Sequence, residues 1–255
     1  MIWTRAGHEF IAWSIPNDPN SWDRAMDRET IMVRDVQRGD LDRIVAYRLG
    51  TADEQVLVQV WQALEYDLSH LAKWGPIKGL YNHIAASGLH PLIIDGGAHI
   101  GLASVWFALE FPLAEVIAVE PEAENFKLLA RNTAGLHVQC VHGALGDSYG
   151  LSRIVDPGEG TWGYQTEPTS VIAGSVVRTP IADMIGVPGR LFIVKLDIEG
   201  AEGEVMRTHA DWLKECPIVI VEPHSWINQD LLAPLYEGRG IYQCGENVVS
   251  IRGDL

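Results

Sequence analysis

Two short segments hold most of the side chains able to do chemistry. In Leu191-Phe-Ile-Val-Lys195-Leu-Asp197 the two-residue period of an extended chain puts Lys195 and Asp197 on one side, and Glu199, Glu202 and Glu204 follow at once. In Val221-Glu222-Pro-His224 an acid and an imidazole close a second apolar run. Three roles suit that set. Asp197, Glu222 and His224 could ligate a divalent metal, but Mg²⁺ prefers carboxylates and water, so His224 fits it less well. His224, or Asp197 in its place, could take a proton from a hydroxyl, because an imidazole titrates near neutrality. Lys195 could instead pair with Asp197 or Glu222 to neutralise a buried cluster, with Glu202 and Glu204 on a solvated helix face. Proton transfer by His224 and Asp197 beside Lys195 is preferred, and a metal is not.

A third segment is suited to holding a ligand. Pro91-Leu-Ile-Ile-Asp95-Gly-Gly-Ala-His99-Ile-Gly101 reads as a buried strand running through glycines into a helix, Leu102 to Leu109. Glycines there let a ligand approach the backbone, and a helix N-terminus favours electron-rich groups. The spacing Gly97-x-x-x-Gly101 is not the G-x-G-x-x-G of a dinucleotide site. The next strand ends in Glu120-Pro121, where an acid can accept hydrogen bonds from both hydroxyls of a ribose. In register, the two features describe an adenosine-type pocket.

The elements that must position these residues form a rhythm of short apolar runs and amphipathic segments. Strands are expected at Pro91 to Asp95, Glu115 to Glu120, Leu136 to His142, Leu191 to Asp197 and Pro217 to Glu222, with helices between most of them. That predicts an α/β fold with a doubly wound, mainly parallel sheet. A helix around Asn228 to Tyr236 follows, and Gly245-Glu246 joins two β-like runs, Gly240 to Cys244 and Asn247 to Arg252, as an antiparallel hairpin. Residues 147–188, rich in Gly, Thr, Ser and Pro, are an insertion with β-prone patches at Leu151 to Val155 and Ser170 to Arg178. Before residue 90 the chain changes character. It has a β-like stretch at Thr30 to Val36, turns at Pro16-Asn-Asp-Pro19 and Arg38-Gly-Asp40, and helical spacing through Val56, Val60, Trp61, Leu64, Leu68 and Leu71. A Gly75-Pro76 break and a second helical piece through Leu80 and Ile84 complete an expected cap, residues 1–89, on a domain of residues 90–255.

Composition narrows the partners. Among 255 residues, 19 Lys and Arg against 34 Asp and Glu give a formal charge of −15, which repels phosphate polymers and anionic lipid. Neither nucleic acid nor membrane is expected. No apolar run approaches the ~18 residues of a bilayer span, and Met1 to Phe10 lacks the pattern of a secretory leader. Cys140, Cys216 and Cys244, odd in number and without CxxC, predict free thiols and a cytoplasmic protein. Nine Trp is a high count; Trp13, Trp22, Trp61, Trp74 and Trp162 fall in the cap or insertion. Trp74, Trp162 and Tyr164 are candidates for the wall of an acceptor site, while Trp106 and Trp212 follow core periodicity.

Together, Ile94-Asp-Gly-Gly-Ala-His-Ile-Gly101, Ala118-Val-Glu-Pro121 with Asn125, Ala144-Leu-Gly146 and Lys195-Leu-Asp-Ile-Glu-Gly-Ala-Glu202 resemble the FkbM family of S-adenosylmethionine-dependent methyltransferases, over residues 90–253. The resemblance implies a Rossmann-like, class I methyltransferase sheet of seven strands with the last antiparallel. It implies that Asp95, Gly97 and Gly101 shape the methionine side of an S-adenosylmethionine site, that Glu120 binds the ribose, and that residues His142 to Leu145, Gly143 and Ala144 among them, border the adenine. His99, Pro121 and Asp197 join that cofactor set. Position 99 is His where the family commonly has Asn, which would make cofactor binding sensitive to pH. The implied reaction is O-methylation of a small-molecule hydroxyl on a sugar or macrolide-type natural product. Mg²⁺ is open but not favoured, and a homo-oligomer is open too. Two alternatives stand beside it: an NAD-dependent oxidoreductase, which lacks its phosphate turn here, and a non-catalytic cofactor-binding scaffold.

Overall fold

The computed structural model describes residues 4–5, 8–9, 31–38, 41–158, 160–187, 190–207, 211–224 and 229–255. Trp3, Trp13, Trp22, the turn at 16–19, and Thr30, Gly39, Asp40 and Asn228 lie outside these residues.

In chain order the elements are β1 (Thr4–Arg5), β2 (His8–Glu9), β3 (Ile31–Arg38), β4 (Leu41–Arg48), α1 (Asp53–Trp61), α2 (Trp74–Ala86), β5 (Leu92–Gly96), α3 (Leu102–Glu110), β6 (Glu115–Glu120), α4 (Ala123–Thr133), β7 (Val138–His142) and β8 (Ala144–Leu145). Then come β9 (Gly150–Val155), β10 (Gln165–Thr169), β11 (Ser175–Thr179), α5 (Ala182–Ile185), β12 (Leu191–Leu196), α6 (Glu202–Arg207), α7 (Asp211–Glu215) and β13 (Ile218–Val221). A 3₁₀ segment (Gln229–Leu235), β14 (Arg239–Cys244) and β15 (Asn247–Arg252) end the chain.

The central sheet has seven strands in the order β14-β15-β13-β12-β5-β6-β7. β13, β12, β5, β6 and β7 run parallel, β15 runs antiparallel to them, and β14 pairs antiparallel with β15. The central strands are mostly apolar because both faces of the sheet are covered, and the charged Asp95 of β5 and Lys195 of β12 are buried as a pair. Alternate residues feed two clusters. Ile93, Val116, Ile218 and Ile220 pack with α3 and with the N-terminal residues Val36, Val45, Leu57 and Ile77. Leu92, Ile94, Val219 and Val221 pack on the opposite face with Val205, Met206, Trp212 and Leu213. The segment before residue 90 therefore shares a hydrophobic core with the sheet.

Helix α3 is buried from Leu102 to Leu109, as befits a helix apolar all round. Gly75 and Pro76 do not break the chain, as the sequence suggested, but fall in the first turn of α2. First-turn amides have no intrahelical partner, so a proline costs little there. The helical spacing through Leu71 also overreaches: α1 stops at Trp61, and Leu64 has φ +58°. The insertion forms a small sheet, β10-β9-β11-β8, joined to the domain through β8. Its β10 contains Pro168, which hid it from propensity. The expected helix near residue 230 is 3₁₀, with Pro234 inside it.

Candidate active site

The parallel strands end together, so the loops after β5, β6, β12 and β13 meet around one cavity of about 360 Å³. Gly97, His99, Glu120, Pro121, Gly143 and Ala144 line one part of it. Lys195, Asp197, Glu199, Glu222 and His224 line another. Most of the residues singled out from the sequence thus converge on one space.

The glycines act through packing as much as through ligand access. Gly97, at φ +70°, lies where an added Cβ would meet the Asp197 carbonyl oxygen at 1.7 Å, so glycine alone lets the β5 and β12 loops cross. Gly101 is not at the cavity wall. It caps α3 at φ +85°, and a Cβ there would sit 2.7 Å from Leu129 Cδ1, so its task is to seat α3 against α4.

Glu120 is buried with its carboxylate held at both ends: Oε2 accepts from the His99 amide at 2.8 Å and Oε1 from the Glu122 amide at 2.8 Å. Burial pushes its carboxyl up to about 7, against the pull of those two amides. The adjoining lining residues Gly97, Ala98, Gly143 and Ala144 have no bulky side chain. A carboxylate that accepts hydrogen bonds beside such a wall fits the hydroxyls of a ribose and a flat base.

Asp95 lies behind the cavity rather than in it. Its Oδ2 accepts from Ser104 Oγ at 2.5 Å, and its Oδ1 is 3.2 Å from Lys195 Nζ. The same ammonium is 3.4 Å from Asp197 Oδ2 and donates to the Gly97 carbonyl at 2.8 Å. Burial alone would lower its pKa, but Asp95, Tyr66 and Asp197 outweigh burial and hold it well above its ordinary value. Lys195 is thus a permanent cation that neutralises the cluster. The partner expected from sequence was Asp197 or Glu222, and the structure adds Asp95 because β5 and β12 place residues 95 and 195 in register.

His224 Nε2 is 3.2 Å from Glu199 Oε2 and 3.9 Å from Glu222 Oε1, and Nδ1 is 3.3 Å from Glu202 Oε1. Burial disfavours the imidazolium, but Glu199 and Glu202 prevail and push it up to about 11. The sequence favoured His224 as a general base, and these two acids favour its charged form. Glu202 is corrected: it is fully buried, not on a solvated face, and accepts from the amides of Ile198 and Gly200 at 2.8 and 3.0 Å. Glu204 stays partly exposed near Arg178. Glu222 is pushed up to about 7 by burial and by the charge of Asp197, with His224 opposing. Among the described residues, the metal-compatible group is Asp197, Glu199 and His224, with ligand atoms within 4.8 Å of one another, rather than Asp197, Glu222 and His224. Lys195 already supplies positive charge at Asp197, which makes this set less suited to a divalent cation.

Trp162 and Tyr164 line the cavity. Trp74 does not. Its ring packs 6.2 Å from that of Phe111, with Lys78 Nζ 5.3 Å above it, because the first turn of α2 faces the core. Sequence reasoning also missed Glu65 and Glu246, which reach the cavity from the α1–α2 connection and the β14–β15 turn. It missed Arg48 and Asp53, a buried pair beside His99, whose signal was an acid opening a helix shortly after a strand-ending arginine.

A family model described as the methyltransferase FkbM domain matches residues 95–237. No curated protein matches the chain. Among solved structures, the chain is similar to a methyltransferase from Geobacter sulfurreducens, at 14% identity and TM-score 0.35, covering 75% of this chain and 88% of that one. It is similar to a putative RNA methyltransferase from Pyrococcus horikoshii, at 15% identity and TM-score 0.29, covering 71% and 84%. The N-terminal domain of human METTL16 in complex with SAH matches at 12% identity and TM-score 0.36, covering 70% and 68%. Because the family model runs from Asp95 at the first central strand to Glu237 before the final hairpin, more than half of the sequence, the chain belongs to the FkbM family of S-adenosylmethionine-dependent methyltransferases.

Proposed function

We propose that this chain is an O-methyltransferase that moves a methyl group from S-adenosylmethionine to a hydroxyl of a small molecule of the sugar or macrolide type. The observation that carries the reading is the single cavity in which the ribose-type acceptor Glu120 and the proton-accepting cluster around Glu222 share one space. Bound there, the cofactor supplies an electrophilic methyl on a sulfonium. Glu120 holds the ribose end, with Pro121, Gly143 and Ala144 beside the base, and Asp197 borders both the cofactor and the acceptor. The acceptor hydroxyl gives up its proton as it takes up the methyl. Glu222, with a pKa raised to about 7, is the group suited to receive that proton near neutral pH. His224 stays charged and holds Glu199 and Glu222 in place. Trp162 and Tyr164 wall the acceptor side, and alignment with exclusion of water does the rest of the work.

This reading takes the sheet as a doubly wound class I domain, residues 90–255, with residues 1–89 as its cap and 147–188 as an insertion near the acceptor. The acidic charge supports a small-molecule partner over nucleic acid or membrane. Among the described residues no helix is long and apolar enough to cross a membrane, and the three cysteines are free, which supports a reducing, cytoplasmic setting.

The test is methylation of a panel of sugar and macrolide hydroxyls by the purified chain, with Glu222→Gln alongside. Turnover by the wild type that the variant loses supports the reading. A chain that binds S-adenosylhomocysteine but methylates no hydroxyl acceptor would fit a scaffold instead.

A further inference from the structure

The cofactor wall at His99 is tied to residues outside the family-matched region. Arg48 ends β4 and Asp53 opens α1; both are buried, at 3% and 0% exposure. They form a two-pronged ion pair: Arg48 Nε donates to Asp53 Oδ2 and Nη2 to Oδ1, each at 2.8 Å, while the Arg48 amide donates to Oδ2 at 2.8 Å. The arginine also reaches the family region, since Nη2 donates to Asn125 Oδ1 at 2.5 Å. Asn125 Nδ2 in turn donates to the Thr161 carbonyl of the insertion at 2.8 Å, and Thr161 Oγ1 donates back to Asp53 Oδ1 at 3.2 Å. Asp53 Oδ1 also lies 3.3 Å from His99 Nε2.

His99 stands in a left-handed backbone conformation, φ +50°, that a non-glycine residue rarely adopts, so its surroundings must hold it there. Its amide is committed to Glu120, and its Nε2 faces Asp53 Oδ1 at 3.3 Å and Arg48 Nη2 at 3.5 Å. The two hydrogens of Arg48 Nη2 are already given to Asp53 Oδ1 and Asn125 Oδ1, which leaves the carboxylate as the partner of Nε2. His99 Nδ1 is buried with no hydrogen-bond partner among the described residues, at the edge of the cavity that His99 lines. An ionised carboxylate can only accept a hydrogen bond, and the guanidinium beside it keeps Asp53 ionised.

We propose that Asp53 is a positioning residue for the cofactor pocket: it fixes His99 as the Nε2–H tautomer, so that the Nδ1 lone pair is the acceptor offered to the bound cofactor. Arg48, Asp53, Asn125 and Thr161 thereby join the N-terminal segment, the insertion and the cofactor loops into one binding unit. The histidine at position 99 and the aspartate at 53 then work as a pair. The proposal rests on the S-adenosylmethionine reading of the cavity.

The test uses the full chain. Nitrogen-15 shifts of the His99 ring are expected to show protonated Nε2 and bare Nδ1 in the wild type, and a mixture of tautomers in Asp53→Asn. Titration with S-adenosylhomocysteine is expected to show affinity at least tenfold weaker in Asp53→Asn and in His99→Leu, with the double variant no weaker than the worse single one. Thr161→Val leaves the ion pair intact and removes one bond to Asp53. It should fold as the wild type does and weaken binding about threefold, which keeps the proposal testable if Asp53→Asn does not fold. A wild-type ring protonated at Nδ1, variants that bind as the wild type does, or losses that multiply in the double variant would overturn it. Failure of the wild type to bind S-adenosylhomocysteine would overturn the cofactor reading, and the offered acceptor with it, whatever the tautomer.

Discussion

Lys195 Nζ and Asp95 Oδ1 stand 3.2 Å apart on adjacent parallel strands, in register and almost wholly buried, and so form the ionic pin behind the cavity. Removing one member leaves the other charged and unpaired. Lys195→Met should cost about 3–5 kcal/mol, and Lys195→Met with Asp95→Asn should recover part of it. Urea unfolding of both variants checks this, and a double variant no more stable than Lys195→Met would contradict it.

Glu120 links stability to pH in the opposite sense from a salt-bridged acid. Its folded pKa, about 7, lies above the ordinary value of 4.5, so its contribution is fully present below about 4.5 and is lost as pH rises through about 7. Glu120→Gln should lose less stability than the wild type between pH 5 and 8, by an amount on the order of 2–3 kcal/mol. Its affinity for S-adenosylhomocysteine should nonetheless fall. Paired unfolding and binding series read both effects, and parallel pH curves for the two proteins would refute the assignment.

Glu222 and His224 divide the proton chemistry. With Glu222 at about 7, turnover should rise with pH through about 7, and Glu222→Gln should lower kcat by about 10²–10⁴ with little change in cofactor affinity. His224, raised to about 11, stabilises the fold fully below its ordinary value of 6.5 and loses that contribution as pH rises through about 11. The stability advantage of the wild type over His224→Ala should therefore shrink steadily above pH 6.5. A Glu222→Gln variant that keeps wild-type kcat, beside a His224→Ala variant that loses it, would restore the histidine as base.

Much of this site was legible beforehand, for physical reasons that differ by residue. Alternation and run length placed the buried strands, and Glu115–Glu120 matches to the residue, because a sheet covered on both faces demands continuous apolar runs. Glu120 and Asp197 could be placed because strand ends in parallel sheets converge. Glu202 looked solvated because helical spacing cannot show that its carboxylate turns inward to the amides of Ile198 and Gly200. Likewise, the protonation of His224 depends on two acids that only the folded loop brings to its ring. Arg48 and Asp53 were invisible because their partners His99, Asn125 and Thr161 are remote in sequence.

Gly97 and Gly88 separate backbone strain from crowding. Both have positive φ, but only at Gly97 would a Cβ meet a carbonyl oxygen, whereas nothing lies within 4 Å at Gly88. Gly88→Ala should cost about 1 kcal/mol, and Gly97→Ala several times more, with loss of cofactor binding. Thermal unfolding ranks the two, and equal costs would show that the β5 and β12 loops do not cross as described.

The central claim is that this cavity receives S-adenosylmethionine. Its most direct test is calorimetric titration of the purified chain with S-adenosylhomocysteine, with NAD as comparator and each with and without Mg²⁺. The account predicts saturable binding of the thioether, no binding of NAD, and no dependence on Mg²⁺. Absence of thioether binding, or a preference for NAD, would contradict it.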